Sequence, residues 1–224
     1  RDQPRSRGLG DVYKRQDMGV NMAGNCIFDN DAVSEASLQE IVRRYYNAVK
    51  NAAKGAGNKE EIYKLELLMN QAGISAESRR CAAAAQEIAA KTEQPAAAAE
   101  LKDGTIVTGK TSALLGCASA TLLNALKHLA GIDDDVLLIG PDVIKPIQEL
   151  KTNHLGNKNP RLHTDEVLIA LAISATADKN AAAAMNKLCE LKNCEMHSSV
   201  LLAQVDENVL KKLGVRLTSE PAKK

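Results

Sequence analysis

The sequence predicts a protein of the α/β class, in which a helical subdomain precedes a three-layer α/β/α sandwich. Three observations support this fold class. Apolar residues recur at helical spacing over residues 31–92, Pro95 follows them, and short strand-like runs then alternate with helical segments. Such alternation indicates a sheet with helices on both faces. We therefore place the helical subdomain at 17–95 and the three-layer domain at 96–224 of the 224 residues.

The first sixteen residues do not fit this pattern. Residues 1–16 contain four arginines and no periodic apolar side chains. We expect them to be a disordered or artefactual leader and exclude them from reasoning about the fold. Because such a segment lacks the apolar surface that offsets the entropy of ordering, its deletion is expected to leave the thermal stability unchanged.

Three helices are predicted in the helical subdomain. The first has one apolar stripe and ends at Gly55. Asn58 is suited to cap the second helix, which ends at Gly73. Ser75 is suited to cap a third, alanine-rich helix that runs toward Lys91. The small side chains of this third helix permit close packing.

The three-layer domain is predicted to begin with a β-hairpin. Asp103-Gly104 supplies the positive-φ residues of a tight turn between AAAAEL and TIVTG. A helix of low charge is expected over 112–130, and the apolar run VLLIG at 136–140 is typical of a buried central strand.

The remaining elements continue the alternation of helix and strand. In order, we expect helices near 144–155, from Thr164 and over 180–191, a strand at 198–204, a short helix ended by Gly214, and a last strand at 215–219. The sheet is expected to be parallel beyond the hairpin. A hairpin followed by such units is the element order of the cytidine-deaminase-like topology, a likeness of fold that carries no chemistry.

Composition excludes several classes of function. The net charge of +1 and the scarcity of aromatic residues argue against nucleic acid as a partner, and no apolar run approaches the ~20 residues of a membrane span. The cysteines are odd in number and scattered, which favours reduced, packed thiols in a cytoplasmic protein over a disulfide framework. They are Cys26, Cys81, Cys117, Cys189 and Cys194.

Several long strings carry a resemblance to a known family. They are DMGVNMAG (17–24), RRYYNAV (43–49), VTGKTSALLG (107–116), KPIQELKTNHLGNKNPRLH (145–163), VLIALAISAT (167–176) and VLKKLGVRLTSEP (209–221). With these strings the chain resembles the bacterial domain-of-unknown-function family 1846, also called uncharacterised protein family 0371, and is expected to represent its C-terminal half only. The resemblance implies a missing N-terminal half with a glycine-rich segment similar to a phosphate-binding loop, which would be the partner of this chain.

One segment has the letter pattern of a Walker A loop. It runs from Gly104 through Gly109-Lys110-Thr111. A true loop of this kind cradles phosphate with the N–H groups of a flexible turn, whereas the four intervening residues here are β-branched and predicted to be a strand. We therefore reject a nucleotide-binding loop and expect weaker anion binding by Lys110, Thr111 and Ser112 at the start of a helix.

The segment from Lys151 to Glu166 is the strongest candidate site. Within thirteen residues that contain no acid it has five basic or titratable side chains: Lys151, His154, Lys158, Arg161 and His163. Lysine and arginine bind phosphate or carboxylate, and histidine transfers protons near neutral pH.

We accordingly predict an anion site. Its basic residues are Lys151, Lys158 and Arg161, with Lys110 and Ser112 on the far wall, and its candidate catalytic residues are His154 and His163. The alternative is a solvated connection in which residues 164–166 act as a helix cap.

No cofactor or metal is predicted. The H-x-E and P-C-x-x-C motifs of zinc deaminases do not occur in the sequence. Cys189, Cys194 and His197 are expected to be packed side chains instead of ligands.

Two functions fit these observations. The first is an enzyme acting on a phosphorylated or nucleotide-like small molecule, with its site shared between this chain and the missing N-terminal half. The second is a non-catalytic structural domain that forms a homo-oligomer.

Overall fold

A computed structural model describes residues 30–222, with helices in the first part of that range as the sequence predicts. They are α1 (Asn30–Ala53), α2 (Lys59–Gln71), a short 3-10 turn (Ala76–Ser78) and α3 (Arg80–Thr92). Asn58 caps α2, since its side-chain oxygen accepts from the Glu60 N–H at 2.9 Å. The predicted leader at 1–16 lies outside the described residues.

Ser75 precedes the 3-10 turn instead of the third helix. Its N–H donates to the Ser78 hydroxyl at 3.0 Å, and α3 begins only at Arg80. The boundary differs because the 3-10 turn occupies the residues between the predicted cap and the alanine-rich helix.

The rest of the described chain forms a four-stranded sheet and further helices. The strands are β1 (Ala96–Glu100), β2 (Ile106–Lys110), β3 (Glu195–Ser198) and β4 (Arg216–Ser219). The helices are α4 (Cys117–Ala130), α5 (Pro141–Glu149) with a π-helical continuation (Leu150–His154), α6 (Thr164–Ser174), α7 (Lys179–Asn186) with a 3-10 turn (Leu188–Leu191), and α8 (Gln204–Lys212). The mixed α/β class is thus confirmed.

The strand order of the sheet is β2-β1-β3-β4. β1 is antiparallel to both β2 and β3, while β3 and β4 are parallel. In the register, Ala98 lies between Thr108 on one side and His197 on the other. The cytidine-deaminase-like topology is a finer statement than this strand order and stays a prediction.

The predicted hairpin is present. Gly104 has a φ of +82°, and the Thr105 N–H donates to the Asp103 side chain at 2.9 Å, which fixes the turn. The residues of the Walker-like pattern therefore belong to a turn and to β2. This agrees with the rejection of a nucleotide-binding loop.

Three further predicted boundaries or elements are wrong. VLLIG at 136–140 is not a strand: Leu138 and Ile139 are buried, but Leu137 is 69% exposed. A turn that bonds Val136 N–H to Asp133 O precedes this run, the chain bends at residues 138–139, and Pro141 starts α5 directly after it.

The other two differences concern boundaries. The helix expected over 112–130 begins at Cys117, since residues 112–116 form a turn and a bridge. The strand expected at 198–204 is β3, which ends at Ser198 where its pairing with β1 ends.

Helices pack on both faces of the sheet. On one face Ala97 and Ala99 belong to the main core with Leu122 and Leu126 of α4. On the other face Ala98 packs against Cys81 of α3. Successive strand residues point to opposite faces, so the small side chains of β1 serve both layers.

The domain division near Pro95 stays a prediction. The packing places α3 against β1, β2 and β3, and α1 against β4. The helices that precede Pro95 therefore cover one face of the sheet that follows it. None of the helices within residues 30–222 combines the length and hydrophobicity needed to cross a bilayer.

Candidate functional site

A cleft opens at one end of the sheet. β2 and β3 are both antiparallel to β1, so their carboxyl ends lie at the same edge. The segments that follow these strands, 111–116 and 199–203, border a cleft of about 260 Å³. Loops at the carboxyl ends of strands are the usual place for ligand sites in α/β proteins. The polar lining includes Thr111, Cys117, Asn159, Arg161, His163 and Asp206.

Three helices begin beside this cleft. Cys117 is the first residue of α4, His163 precedes α6, and Ala203 precedes α8, and all three line the cleft. The N–H groups in the first turn of a helix carry partial positive charge. At α6 two nearby N–H groups, of His163 and Thr164, are already bonded to carboxylates of the protein. The backbone therefore favours an anion in the cleft before any side chain is considered.

His163 and Asp206 form a hydrogen-bonded pair in the cleft wall. His163 Nδ1 lies 2.9 Å from Asp206 Oδ2, and the other carboxylate oxygen accepts from the Thr164 N–H at 2.8 Å. Asp206 is buried and comes from the first turn of α8. In a neutral imidazole, a carboxylate at Nδ1 requires the proton on that nitrogen, so Nε2 keeps its lone pair. The pair is therefore arranged to accept a proton at Nε2.

Arg161 lies in the same wall, on the exposed side. Its Nε donates to the Ser112 carbonyl at 2.7 Å, which leaves the two terminal nitrogens of the guanidinium for a ligand. The Ser112 hydroxyl accepts from the Leu114 and Leu115 N–H groups at 3.2 and 3.1 Å. Ser112 thus shapes the loop and orients Arg161, while its hydroxyl is engaged within the loop.

Lys151 lies behind the cleft wall. It is 3% exposed, and its Nζ donates to the Arg161 carbonyl at 2.6 Å and to Glu166 Oε2 at 2.7 Å. An ammonium held by an internal carboxylate and a carbonyl has little capacity for an external anion. This position argues against the predicted anion-binding role of Lys151.

The other predicted residues are exposed and lie elsewhere. His154 ends the π-helical segment, Lys158 lies in the following loop, and Lys110 ends β2. None of these three described side chains lines the cleft. Of the residues predicted to bind an anion or transfer a proton, the fold brings Thr111, Arg161 and His163 together there.

Asp206 and Cys117 were missed by sequence reasoning. Asp206 is 43 residues from His163, and an acid in the first turn of a helix is common enough to carry no signal. Cys117 Sγ lies 3.7 Å from the Ser198 hydroxyl, and burial raises the pKa of this thiol. A thiol of raised pKa is protonated at neutral pH, so its placement at the cleft does not make it a thiolate nucleophile.

The described thiols are unpaired with one another. Cys81, Cys117, Cys189 and Cys194 are free. Over residues 30–222, no cluster of three or more His, Cys, Asp or Glu side chains is arranged to hold a metal ion.

Comparison with protein families gives two matches along the chain. Residues 77–224 match the family model described as "Domain of unknown function DUF1846, C-terminal". Residues 10–73 match the model described as "Domain of unknown function DUF1846, N-terminal". The expectation that only the C-terminal half of the family is represented is therefore wrong, because the first part of the chain matches the N-terminal model.

Similar proteins occur in several bacteria. A UPF0371 protein of Corynebacterium urealyticum is 52% identical over 205 residues, which are 92% of this chain and 41% of that protein. A UPF0371 protein of Streptococcus sanguinis is 50% identical over 205 residues, 92% of this chain and 42% of the relative. The chain spans about two fifths of the length of these curated relatives.

Proposed function

The chain belongs to the DUF1846 family, and for this member we propose that the cleft binds a small anionic molecule and transfers a proton to or from it. The molecule carries a phosphate or carboxylate group. Arg161 holds the anion and His163 moves the proton. In the longer family proteins, this chain supplies one wall of a site that the additional chain completes.

The observation that supports this proposal is the placement of Arg161 beside the His163–Asp206 pair in one cleft. A guanidinium with free terminal nitrogens binds an oxyanion through charge-assisted hydrogen bonds. A histidine oriented by a carboxylate acts as a general base through its other nitrogen. The starts of α4 and α8 add positive potential to the same space.

The shared site is supported by length. The relatives are more than twice as long as the part matched here, since that part is 41% of the Corynebacterium urealyticum protein. An anion held by one arginine on an open wall is accessible to water. We propose that the additional chain closes this wall and carries the residues that select the rest of the substrate.

The fold likeness belongs to the proposal as well. The order β2-β1-β3-β4, in which β1 is antiparallel to its neighbours, supports a cytidine-deaminase-like topology. This likeness places the cleft at a strand end but assigns no reaction to it.

A binding titration with inorganic phosphate tests the site. The variant Arg161→Ala is expected to bind phosphate at least tenfold more weakly than the unchanged chain, because hydrogen bonds to charged groups contribute about 1.5–3 kcal/mol. Its melting temperature is expected to change by no more than about 2 °C, since the side chain is exposed. Titration calorimetry or ³¹P NMR measures the affinity.

Lys158→Ala is the matched control. This variant removes an exposed positive charge from the same loop but outside the cleft. Its phosphate affinity is expected to stay within about twofold of the unchanged chain, because exposed charges at a distance are screened. An equal loss of phosphate affinity in both variants would mean that phosphate affinity depends only on the net charge of the loop. If the unchanged chain does not bind phosphate, the proposal is wrong.

A second candidate function is self-association through α6. The outer face of this helix presents Ile169 and Ile173, which are 60% and 52% exposed. A helix that is apolar on all sides is normally buried. This face supports the alternative of a non-catalytic domain that forms a homo-oligomer.

A further inference from the structure

The loop that carries Arg161 and His163 is held at three consecutive residues. Leu162, between them, is fixed to the neighbouring loop, because its N–H donates to the Leu114 carbonyl at 2.9 Å and its carbonyl accepts from the Ser119 hydroxyl at 3.0 Å. The residues on either side of Leu162 are fixed by a different group. That group is the buried ammonium of Lys151.

Lys151 reaches both sides of Leu162 from behind the wall. Its Nζ donates directly to the Arg161 carbonyl at 2.6 Å. It also donates at 2.7 Å to Glu166 Oε2, and the same oxygen accepts from the His163 N–H at 2.8 Å. One ammonium and one carboxylate therefore hold backbone groups of both residues that the cleft uses, together with Asn159, whose side chain accepts from the Arg161 N–H at 3.1 Å.

Lys151 belongs to the π-helical segment Leu150–His154. π-Helical turns are rare in proteins, and many of those that occur lie at functional sites. The Lys151 carbonyl accepts from the Asn157 N–H at 2.9 Å, so the lysine also anchors the start of the loop whose end it holds. Burying an ammonium opposes folding unless it is paired, and an apolar residue would fill such a position at lower cost. Stability alone is therefore a poor explanation for a lysine here.

From these contacts we infer that Lys151 is a positioning residue of the cleft. It sets the backbone of Arg161 directly and that of His163 through Glu166, and it does not contact the anion. The part of this inference that concerns anion binding rests on the proposed function. The part that concerns structure is that the environment of His163 depends on Lys151, and this dependence is measurable without any ligand.

The test replaces Lys151 in the full 224-residue chain. Lys151→Met is expected to bind inorganic phosphate roughly tenfold more weakly, although Arg161 and His163 are both still present. The ring signals of His163 in ¹H–¹³C NMR spectra are expected to shift. The reason is that Glu166, which accepts from the backbone N–H of His163, is no longer held in place by Lys151. In Lys151→Met the Glu166 carboxylate is left without its partner. The double variant Lys151→Met/Glu166→Gln removes that charge as well, and it replaces the single variant in both measurements if the single variant does not fold.

Arg79→Met is the matched control. Arg79 is 1% exposed and pairs with Glu195, and neither residue lines the cleft. This variant is expected to lose stability as Lys151→Met does, but to keep both the phosphate affinity and the His163 signals of the unchanged chain. The contrast separates positioning from stability.

Each outcome decides one of the two proposals. If the Lys151 variants bind phosphate normally and leave the His163 signals unchanged, Lys151 only stabilises the fold and the inference is overturned. If the unchanged chain does not bind phosphate, the proposed function is lost, and the His163 signals alone then decide the inference. A shift in Lys151→Met that is absent in Arg79→Met supports it.

Discussion

Arg79 joins three parts of the fold through one side chain. Its guanidinium bonds Glu195 and donates to the carbonyl oxygens of Met196 and Arg216 at 3.1 and 2.7 Å. Glu195 also accepts from Arg43 of α1 at 2.7 Å. The start of α3, the start of β3 and β4, and α1 are therefore tied together at the end of the sheet opposite the cleft.

Neighbouring arginines permit a direct test of this arrangement. Arg79→Met is expected to lower the free energy of unfolding by about 2–3 kcal/mol, because the Met196 and Arg216 carbonyls lose their charged donor, while Glu195 keeps its bond to Arg43. Arg80→Met removes a side chain that is 60% exposed and paired with Glu100, and it is expected to cost less than about 1 kcal/mol. Urea unfolding curves of the two variants measure the difference, and coincident midpoints would contradict the prediction.

At the scale of elements, Gly109 determines how closely α4 approaches β2. A Cβ atom at this position would clash with the Thr121 N–H and lie 2.6 Å from the Thr121 hydroxyl oxygen. The hydroxyl itself donates to the Ala97 carbonyl at 3.0 Å, so the contact joins α4 to β1 as well. The glycine of the Walker-like pattern therefore serves packing.

Gly109→Ala is expected to destabilise the protein by about 1–3 kcal/mol, because α4 must move away from the sheet. Gly140→Ala is the control, since a Cβ there has no atom within 4 Å and the residue has a φ of −70°. Melting temperatures measure both. A melting temperature for Gly109→Ala equal to that of the control would show that α4 can shift without loss.

Local signals in the sequence predicted the elements more successfully than the site. The hairpin followed from Asp103-Gly104, a pair whose conformation is set by its own residues. The prediction of a strand at 136–140 was wrong, because a short apolar run is equally compatible with a buried strand and with a half-buried connection. The contribution of Asp206 depends on a contact across 43 residues, and the burial of Lys151 depends on Glu166. Neither relation has a local pattern.

At the scale of the whole molecule, the outer face of α6 is an exposed apolar surface. The residues from Val167 to Ile173 include no charged side chain, and Ile169 and Ile173 lie one turn apart on the exposed side. Burial of an isoleucine side chain contributes about 1.5–3 kcal/mol. Two such side chains, repeated on a second copy, would contribute part of this free energy to self-association, the second candidate function.

Self-association through this face predicts a concentration-dependent mass in sedimentation velocity experiments. Ile169→Glu/Ile173→Glu is expected to be monomeric and to keep its melting temperature within about 2 °C, because both positions are exposed. The control is Tyr63→Glu/Leu67→Glu, an exposed apolar pair at the same spacing on α2, which is expected to associate normally. A monomeric unchanged chain at all concentrations would exclude this candidate.

The antiparallel position of β1 has a consequence for how the chain assembles. β1 pairs with β2 across a short turn, but its other edge pairs with β3, and Ala98 and His197 are separated by about half of the described chain. Closing so long a loop is entropically costly and slow. The hairpin is therefore expected to form early, and the other edge of β1 stays unpaired until β3 docks. An unpaired edge is a site for wrong pairing between chains. β1 begins with four alanines, whose weak strand propensity and small apolar surface limit such pairing while the ribosome completes the sheet.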